Sequence, residues 1–321
     1  MYTPTRLDRY RGAMLGLAAG DALGTTLEFT RPGSFTPIHD MVGGGPFRLR
    51  AGEWTDDTSM ALCLAESLIE CGEFNARDQL ARYVKWKREG HLSSTGRCFD
   101  IGGTVAKALT RFERNIEPWA SDDTNSAGNG SLMRLAPVPL FFGSDPQGAV
   151  AYAAASSRTT HGHPEAVDAC RYFAALIVGA LRGQAREDLL RPTFSPVDGL
   201  WDLYPLTDAI AQVASGSFLR KDPPAIRGDG YVTRSLEAAL WAFAKSTCFE
   251  DGALLAVNLG EDADTTGAVY GQLAGAYYGV DAIPKTWRNR LAKIGIIETY
   301  TRWLYDAAER ARMPPKQGAS A

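Results

Sequence analysis

Histidine is scarce in this chain of 321 residues: there are four, and none form an H-E-x-x-H pair. That speaks against a zinc site built from paired imidazoles. Cysteine is equally thin. Cys63, Cys71, Cys98, Cys170 and Cys248 lie apart, make no C-x-x-C pair and are odd in number. No disulfide framework is expected, and without a signal peptide a reducing cytoplasm is the simple expectation. No apolar run reaches the roughly 20 residues that a bilayer span requires. The small-residue stretch 12–20 is too short and is followed at once by Asp21, so no membrane span is expected. An excess of positive charge is also missing. Lys and Arg number 34 against 37 Asp and Glu, a net charge of −3, and no nucleic-acid partner is expected from that balance. The chain has no P-loop, no G-x-G-x-x-G fingerprint, no repeat of 20 to 50 residues and no linker-like segment.

Alternating β-branched runs are nearly absent as well. What is present is long stretches rich in Ala and Leu: Met60–Glu70, Gln79–Arg88, Pro164–Leu181, Leu236–Ala244 and Thr266–Tyr278. This pattern predicts an all-α fold. A single domain over residues 1–313 with a frayed tail at 314–321 is expected. Gly12, Gly16 and Gly20 recur every four residues, as do Gly267, Gly271 and Gly275. Residues at that spacing share one helix face. Each glycine costs about 1 kcal/mol relative to alanine in an ordinary helix, and close central packing of two backbones would offset that cost.

Two acidic clusters stand directly before helical runs. The first is Glu53-Trp54-Thr55-Asp56-Asp57-Thr58 and the second is Glu261-Asp262-Ala263-Asp264-Thr265-Thr266. Thr and Asp are preferred N-caps, and acids near a helix N-terminus gain from its dipole, so capping accounts for either cluster alone. A cap needs one side-chain oxygen, however, and each cluster offers two Asp and two Thr. If the two helix starts meet, four carboxylates share one place and need compensation. Mg²⁺ or Mn²⁺, which favour oxygen ligands, would supply it.

Other polar loops read less sharply. Ser126-Ala127-Gly128-Asn129-Gly130-Ser131 suits either a plain turn or a phosphate-facing backbone. Asp100-Ile101-Gly102-Gly103-Thr104 resembles a helix entrance with an exposed acid, or an N-cap. In His161-Gly162-His163-Pro164-Glu165, Pro164 fits a helix N1 position, and a histidine at a site's mouth is a better reading than a metal ligand. Tyr231 follows Asp229-Gly230, where its ring could stack on a base or pack in the core.

Taken in order, these residues resemble the ADP-ribosylglycohydrolases, the group that includes dinitrogenase-reductase-activating glycohydrolase and the ADP-ribosylarginine hydrolases. The resemblance starts at Arg11-Gly12-Ala13-Met14-Leu15-Gly16 and Gly20-Asp21-Ala22-Leu23-Gly24, with Glu28 after them. It continues through Thr55–Thr58, Asp100–Gly102, Gly128-Asn129-Gly130-Ser131-Leu132-Met133-Arg134 and Thr160-His161, and ends with Asp262–Gly267.

It implies an orthogonal helix bundle with two divalent cations, Mg²⁺ or Mn²⁺, held by Thr55, Asp56, Asp57, Asp262, Asp264 and Thr265. Asp100 and Glu28 are the implied catalytic carboxylates at the scissile C1″ bond. Gly102, Gly128, Asn129, Gly130, Ser131, Met133, His161 and Tyr231 are the implied substrate contacts. The implied reaction removes ADP-ribose, as product, from a mono-ADP-ribosylated protein. Arginine linkage is favoured because Gly43–Gly45 through Thr58 looks closest to the bacterial nitrogenase-regulating type. A hydrolase of serine-linked or free ADP-ribose derivatives, or a non-catalytic ADP-ribose-binding relative, is the alternative; the intact acidic clusters argue against the last. A monomer is expected, since one chain can build the site.

Overall fold

The computed structural model describes residues 3–115, 117–120 and 127–312. The expected tail at 314–321, and Ser126 at the head of the Gly-Asn-Gly loop, lie outside the described residues. Fifteen α-helices are found within them: α1 (Arg6–Gly24), α2 (Asp56–Cys71), α3 (Ala76–Glu89), α4 (Gly103–Glu113), α5 (Pro137–Phe141), α6 (Pro146–Arg158), α7 (Pro164–Leu181), α8 (Arg186–Leu189), α9 (Leu200–Leu203), α10 (Asp208–Ala214), α11 (Val232–Lys245), α12 (Phe249–Val257), α13 (Ala263–Tyr278), α14 (Lys285–Arg290) and α15 (Ile294–Arg312). Among the described residues only isolated bridges, Gly44 with Leu49 and Gly128 with Tyr231, stand in for β-structure. The all-α expectation holds, and none of these helices is long and apolar enough to cross a membrane.

Local signals set many of the boundaries. Thr5 and Asp8 form a reciprocal capping box at the start of α1. Left-handed Gly72 and Gly90 end α2 and α3, and Asn75 caps α3 by accepting from Arg77 N and Asp78 N. Pro164 occupies the first turn of α7, as expected.

Helices α1 and α13 form the centre. Both are buried on nearly every side, from Arg9 to Gly24 and from Ala263 to Ala276, as core helices are. They run antiparallel, with glycine against glycine: Gly12 meets Gly275, Gly16 meets Gly271, Gly20 meets Gly267, and Gly24 meets Ala263. The Arg9 guanidinium closes the far end, where Nη1 donates to the carbonyls of Ala276 and Tyr277 at 3.1 and 2.6 Å. A cation at a helix C-terminus is favoured by the dipole. One apolar cluster that includes Tyr10, Trp54, Phe173, Phe243 and Leu304 surrounds this pair. The antiparallel register has a direct consequence: the C-terminus of α1, carrying Asp21, is laid against the acidic N-terminus of α13.

Candidate active site

Asp21 joins the first acidic cluster to this centre. Its Oδ1 accepts from Thr55 N (2.8 Å) and Thr55 Oγ1 (2.9 Å), and its Oδ2 from Thr58 N (3.1 Å) and Thr58 Oγ1 (2.6 Å). The first turn of α2 is thus capped by a carboxylate from another helix. Thr55 is the N-cap residue but makes no side-chain cap bond of its own, and neither does Asp262 at the start of α13. Capping therefore does not account for either cluster. Asp56, Asp57, Asp262 and Asp264 are left free of that task.

The loop after α1 brings the next carboxylate. Phe29 N donates to Glu261 O (2.6 Å) and Glu261 N donates to Thr30 O (2.8 Å). Phe29 and Glu261 both hold positive φ, 59° and 56°, an arrangement that costs about 1 kcal/mol or more per non-glycine residue. This backbone clasp sets Glu28 beside the start of α13. Glu28, Asp100 and Asp264 each offer a carboxylate oxygen within 4.8 Å of the others.

These groups line a cavity of about 230 Å³, together with Phe29, Asp56, Asp57, Gly102, Gly128, Asn129, Gly130, Met133, His161, Asp262 and Thr265. Thr265 Oγ1 donates to Asp57 Oδ1 at 3.4 Å, and Asn129 Nδ2 donates to Asp262 Oδ2 at 2.8 Å. A larger cavity of about 550 Å³, lined by Val150, Leu200, Leu203 and Tyr204 with Arg158 and Arg171, has no carboxylate on its wall. Chemistry rather than volume identifies the site.

Seven carboxyls, the six that line the cavity and Asp21, cannot all ionise unaided. Burial first, then Asp100, Asp262 and Asp21, push Glu28 up to about 9. Burial raises Asp21 to about 6 even though Thr55 and Thr58 bond to it. Asp56, Asp57 and Asp264 go well above the usual carboxylate range, from burial and then from neighbouring charge, led by Asp100 for Asp56, Asp21 for Asp57 and Glu28 for Asp264. Burial also raises Asp100 and Asp262. Glu28 Oε2, Asp57 Oδ2 and Asp264 Oδ1 are buried without a hydrogen-bond partner. Orphaned, mutually repelling oxygens on one wall are what hard divalent cations bind, so this donor set fits Mg²⁺ or Mn²⁺.

The shifts fix the sign of a pH effect. The folded chain holds protons on these carboxyls that the unfolded chain releases near the ordinary 3.8 of Asp and 4.5 of Glu. Stability from this source is complete below those values and is lost as pH rises through the folded ones, about 6 for Asp21 and about 9 for Glu28. The metal-free protein should therefore melt at least roughly 5 °C lower at pH 8 than at pH 5, and saturating Mn²⁺ should recover most of the loss at pH 8. Thermal melts in EDTA and in Mn²⁺ check this; a flat profile in EDTA would contradict the electrostatic account.

Not every expected residue faces the cavity. Thr55 is buried behind it, donating to Asp21 and, at 3.3 Å, to Asp264 Oδ2. Ser131 is turned inward, its hydroxyl 2.9 Å from Ser157 Oγ and 3.5 Å from Cys170 Sγ. Tyr231 precedes α11 with its ring partly exposed and Arg234 at 5.7 Å; the backbone bridge to Gly128 brings it to the cavity's edge. No role attaches to Asp21, Phe29 or Arg134 from local pattern alone, although Asp21 follows the glycine stripe and both Asp21 and Arg134 fall within the family-like motifs. Phe29, 70 % exposed at the cavity wall, carries no local signal.

The model of the ADP-ribosylglycohydrolase family matches residues 2–316. The ADP-ribosylarginine hydrolase Tri1 of Pseudomonas putida is 43 % identical over 94 % of this chain and 79 % of its own. The ADP-ribosyl-dinitrogen reductase glycohydrolase of Rhodospirillum rubrum is 32 % identical over 91 % of this chain and 92 % of its own. A solved structure described as an ADP-ribosylglycohydrolase-related protein complex superimposes with a TM-score of 0.83 at 45 % identity, covering 94 % of this chain and 99 % of the other.

Proposed function

The chain belongs to the ADP-ribosylglycohydrolase family, and on that premise we propose that it hydrolyses the bond between ADP-ribose and an arginine side chain of a modified protein. The observation that carries this reading is the meeting of two acidic helix starts, neither used for capping, with Glu28 and Asp100 at one cavity. Asp56, Asp57, Asp262, Asp264 and Thr265, which line the cavity, would hold two divalent cations, Mg²⁺ or Mn²⁺, while Thr55 supports Asp21 and Asp264 from behind it. When bound, such ions supply Lewis acidity toward the hydroxyls of the terminal ribose and neutralise the carboxylates around them.

The chain's own groups do the rest. The carboxylate wall stabilises the positive charge that develops on the ribose as the bond from C1″ to the guanidine nitrogen breaks. Water adds at C1″ and gives a proton to Asp100 or Glu28, and the guanidine, which leaves with the C1″–N bonding electrons, takes up that proton to become guanidinium. The carboxylate oxygens of Glu28 and Asp100 lie within 4.8 Å of each other, a span that one bridging water relays a proton across. Gly128–Gly130 and His161 line the same cavity, where the nucleotide would lie. The site is complete within one chain, in keeping with a monomer.

The test is release of ADP-ribose from arginine-ADP-ribosylated protein in Mn²⁺ against EDTA. Release in Mn²⁺ that EDTA abolishes is expected. Cleavage of serine-linked or free derivatives instead would keep the site and move the substrate, and binding without cleavage would mark a non-catalytic relative. Asp100→Asn should lower kcat by roughly 10²–10⁴-fold if it moves the proton. Undiminished turnover would leave Glu28 as the sole candidate.

A further inference from the structure

Arg134 is a buried cation with an unusual set of partners. It is fully buried, and its guanidinium lies 4.7 Å over the Tyr83 ring. Nη1 donates to the Gly130 carbonyl at 3.0 Å, and Nη2 donates to Thr160 Oγ1 at 2.6 Å. Neither acceptor is a carboxylate. Arg134 thus ties together two segments that contribute to the cavity lining, the Gly128–Gly130 loop and the turn that carries His161.

The next bond is directional. Thr160 Oγ1 lies 2.8 Å from His161 Nδ1. A guanidinium has no acceptor, so Thr160 Oγ1 must accept from Arg134. The threonine is buried, and its own proton needs an acceptor. The partners recorded for that hydroxyl are Arg134 Nη2 and His161 Nδ1, and of these only the ring nitrogen can accept. Were Nδ1 the protonated nitrogen, the threonine proton would be stranded.

His161 then carries its hydrogen on Nε2. That edge of the ring faces the cavity loop: a β-carbon at Gly130 would stand 3.2 Å from Nε2, and one at Gly128 would stand 3.4 Å from it. Burial first, and the nearby Arg134 charge second, lower the ring's pKa to about 3, which agrees with a neutral ring.

We propose that Arg134, acting through Thr160, is a positioning residue that locks His161 as the neutral Nε2–H tautomer, making it a fixed hydrogen-bond donor to an acceptor oxygen of bound ADP-ribose. The cavity lining thereby combines carboxylates suited to cations with a donor backed by a buried positive charge. The ligand assignment rests on the function proposed above, whereas the tautomer does not, and the two can be tested separately.

Nitrogen-15 correlation spectra linking the imidazole carbon-bound hydrogens to both ring nitrogens report the tautomer without any ligand. With four histidines in the chain, the His161 signals are assigned by their loss in His161→Gln. A protonated Nε2 with an unprotonated, hydrogen-bonded Nδ1 is expected; Nδ1–H, or an averaging mixture of tautomers, would overturn the proposal whether or not the Thr160 variants folded. Thr160→Val should lose the locked pattern and raise KM for the arginine-linked substrate about tenfold with kcat within about threefold, in line with a lost hydrogen bond to a charged or strongly polar group. Thr160→Ser should restore both. A Thr160→Val protein that keeps the tautomer and the KM would refute the coupling. Failure of the wild-type protein to bind ADP-ribose by calorimetry would defeat the ligand assignment while the spectra decide the tautomer.

Discussion

Asp264→Asn should abolish turnover and, in EDTA at pH 8, raise the melting temperature above that of the wild-type protein. The first half follows from position. Asp264 sits in the first turn of α13, its Oδ1 buried without a partner, and it shares the cluster with Glu28 and Asp100. Losing a cation ligand removes several kcal/mol of transition-state stabilisation, roughly 10³-fold in kcat/KM or more. The second half follows from charge. Burial raises the Asp264 pKa first, then Glu28, Asp57, Asp262 and Asp21, so keeping Asp264 in the metal-free fold, whether by ionising it there or by holding its proton, costs stability at a pH where the unfolded chain ionises it freely. A neutral amide of the same shape relieves that cost. A carboxylate kept for structure would give the opposite sign, since its loss would lower the melting temperature. Calorimetric Mn²⁺ titration, the ADP-ribose release assay and melts in EDTA read the two halves together. Retained metal binding with retained turnover would remove Asp264 from the site.

Gly271→Ala should destabilise the protein by about 3 kcal/mol, the upper end for overpacking, lowering the melting temperature by roughly 5 °C or more. Helix propensity alone predicts the reverse, a gain of about 1 kcal/mol for replacing a helical glycine by alanine. Packing wins because the obstacle is backbone. A β-carbon at Gly271 would lie well inside contact distance of the Gly16 carbonyl and 3.0 Å from Leu17 N, and no rotamer change can relieve that. Only separating α1 from α13 would, and these helices also place Asp21 and Asp264. Gly295→Ala is the control: Gly295 is an exposed position of α15 with nothing within 4 Å of an added β-carbon, and there alanine should be neutral or stabilising. Thermal denaturation of the two variants checks the contrast. If Gly271→Ala proved as stable as the wild-type protein, the glycine stripe would not be a close-packed seam.

Several features were legible in the chain because they are local. The period of apolar residues gave the helices, and a glycine at every fourth position gave one small-residue face on each of two helices. The composition of 55–58 and 261–266 gave two helix starts with more oxygen ligands than a cap can use. Each of these depends on neighbours within a turn or two, which sequence spacing encodes directly.

The tertiary structure decided what lies across long separations. Thr265 reaches Asp57 over 208 positions, and nothing in either segment names the other. Their meeting follows from the antiparallel glycine seam, which places the end of α1 at the start of α13, and from Asp21, which holds the start of α2 to the end of α1. The inward turn of Ser131, the exposed ring of Phe29 and the Arg134–Thr160–His161 relay were likewise set by packing. Whether a side chain faces a cavity, a core or another helix depends on which surfaces meet, and a residue's local neighbours do not specify that.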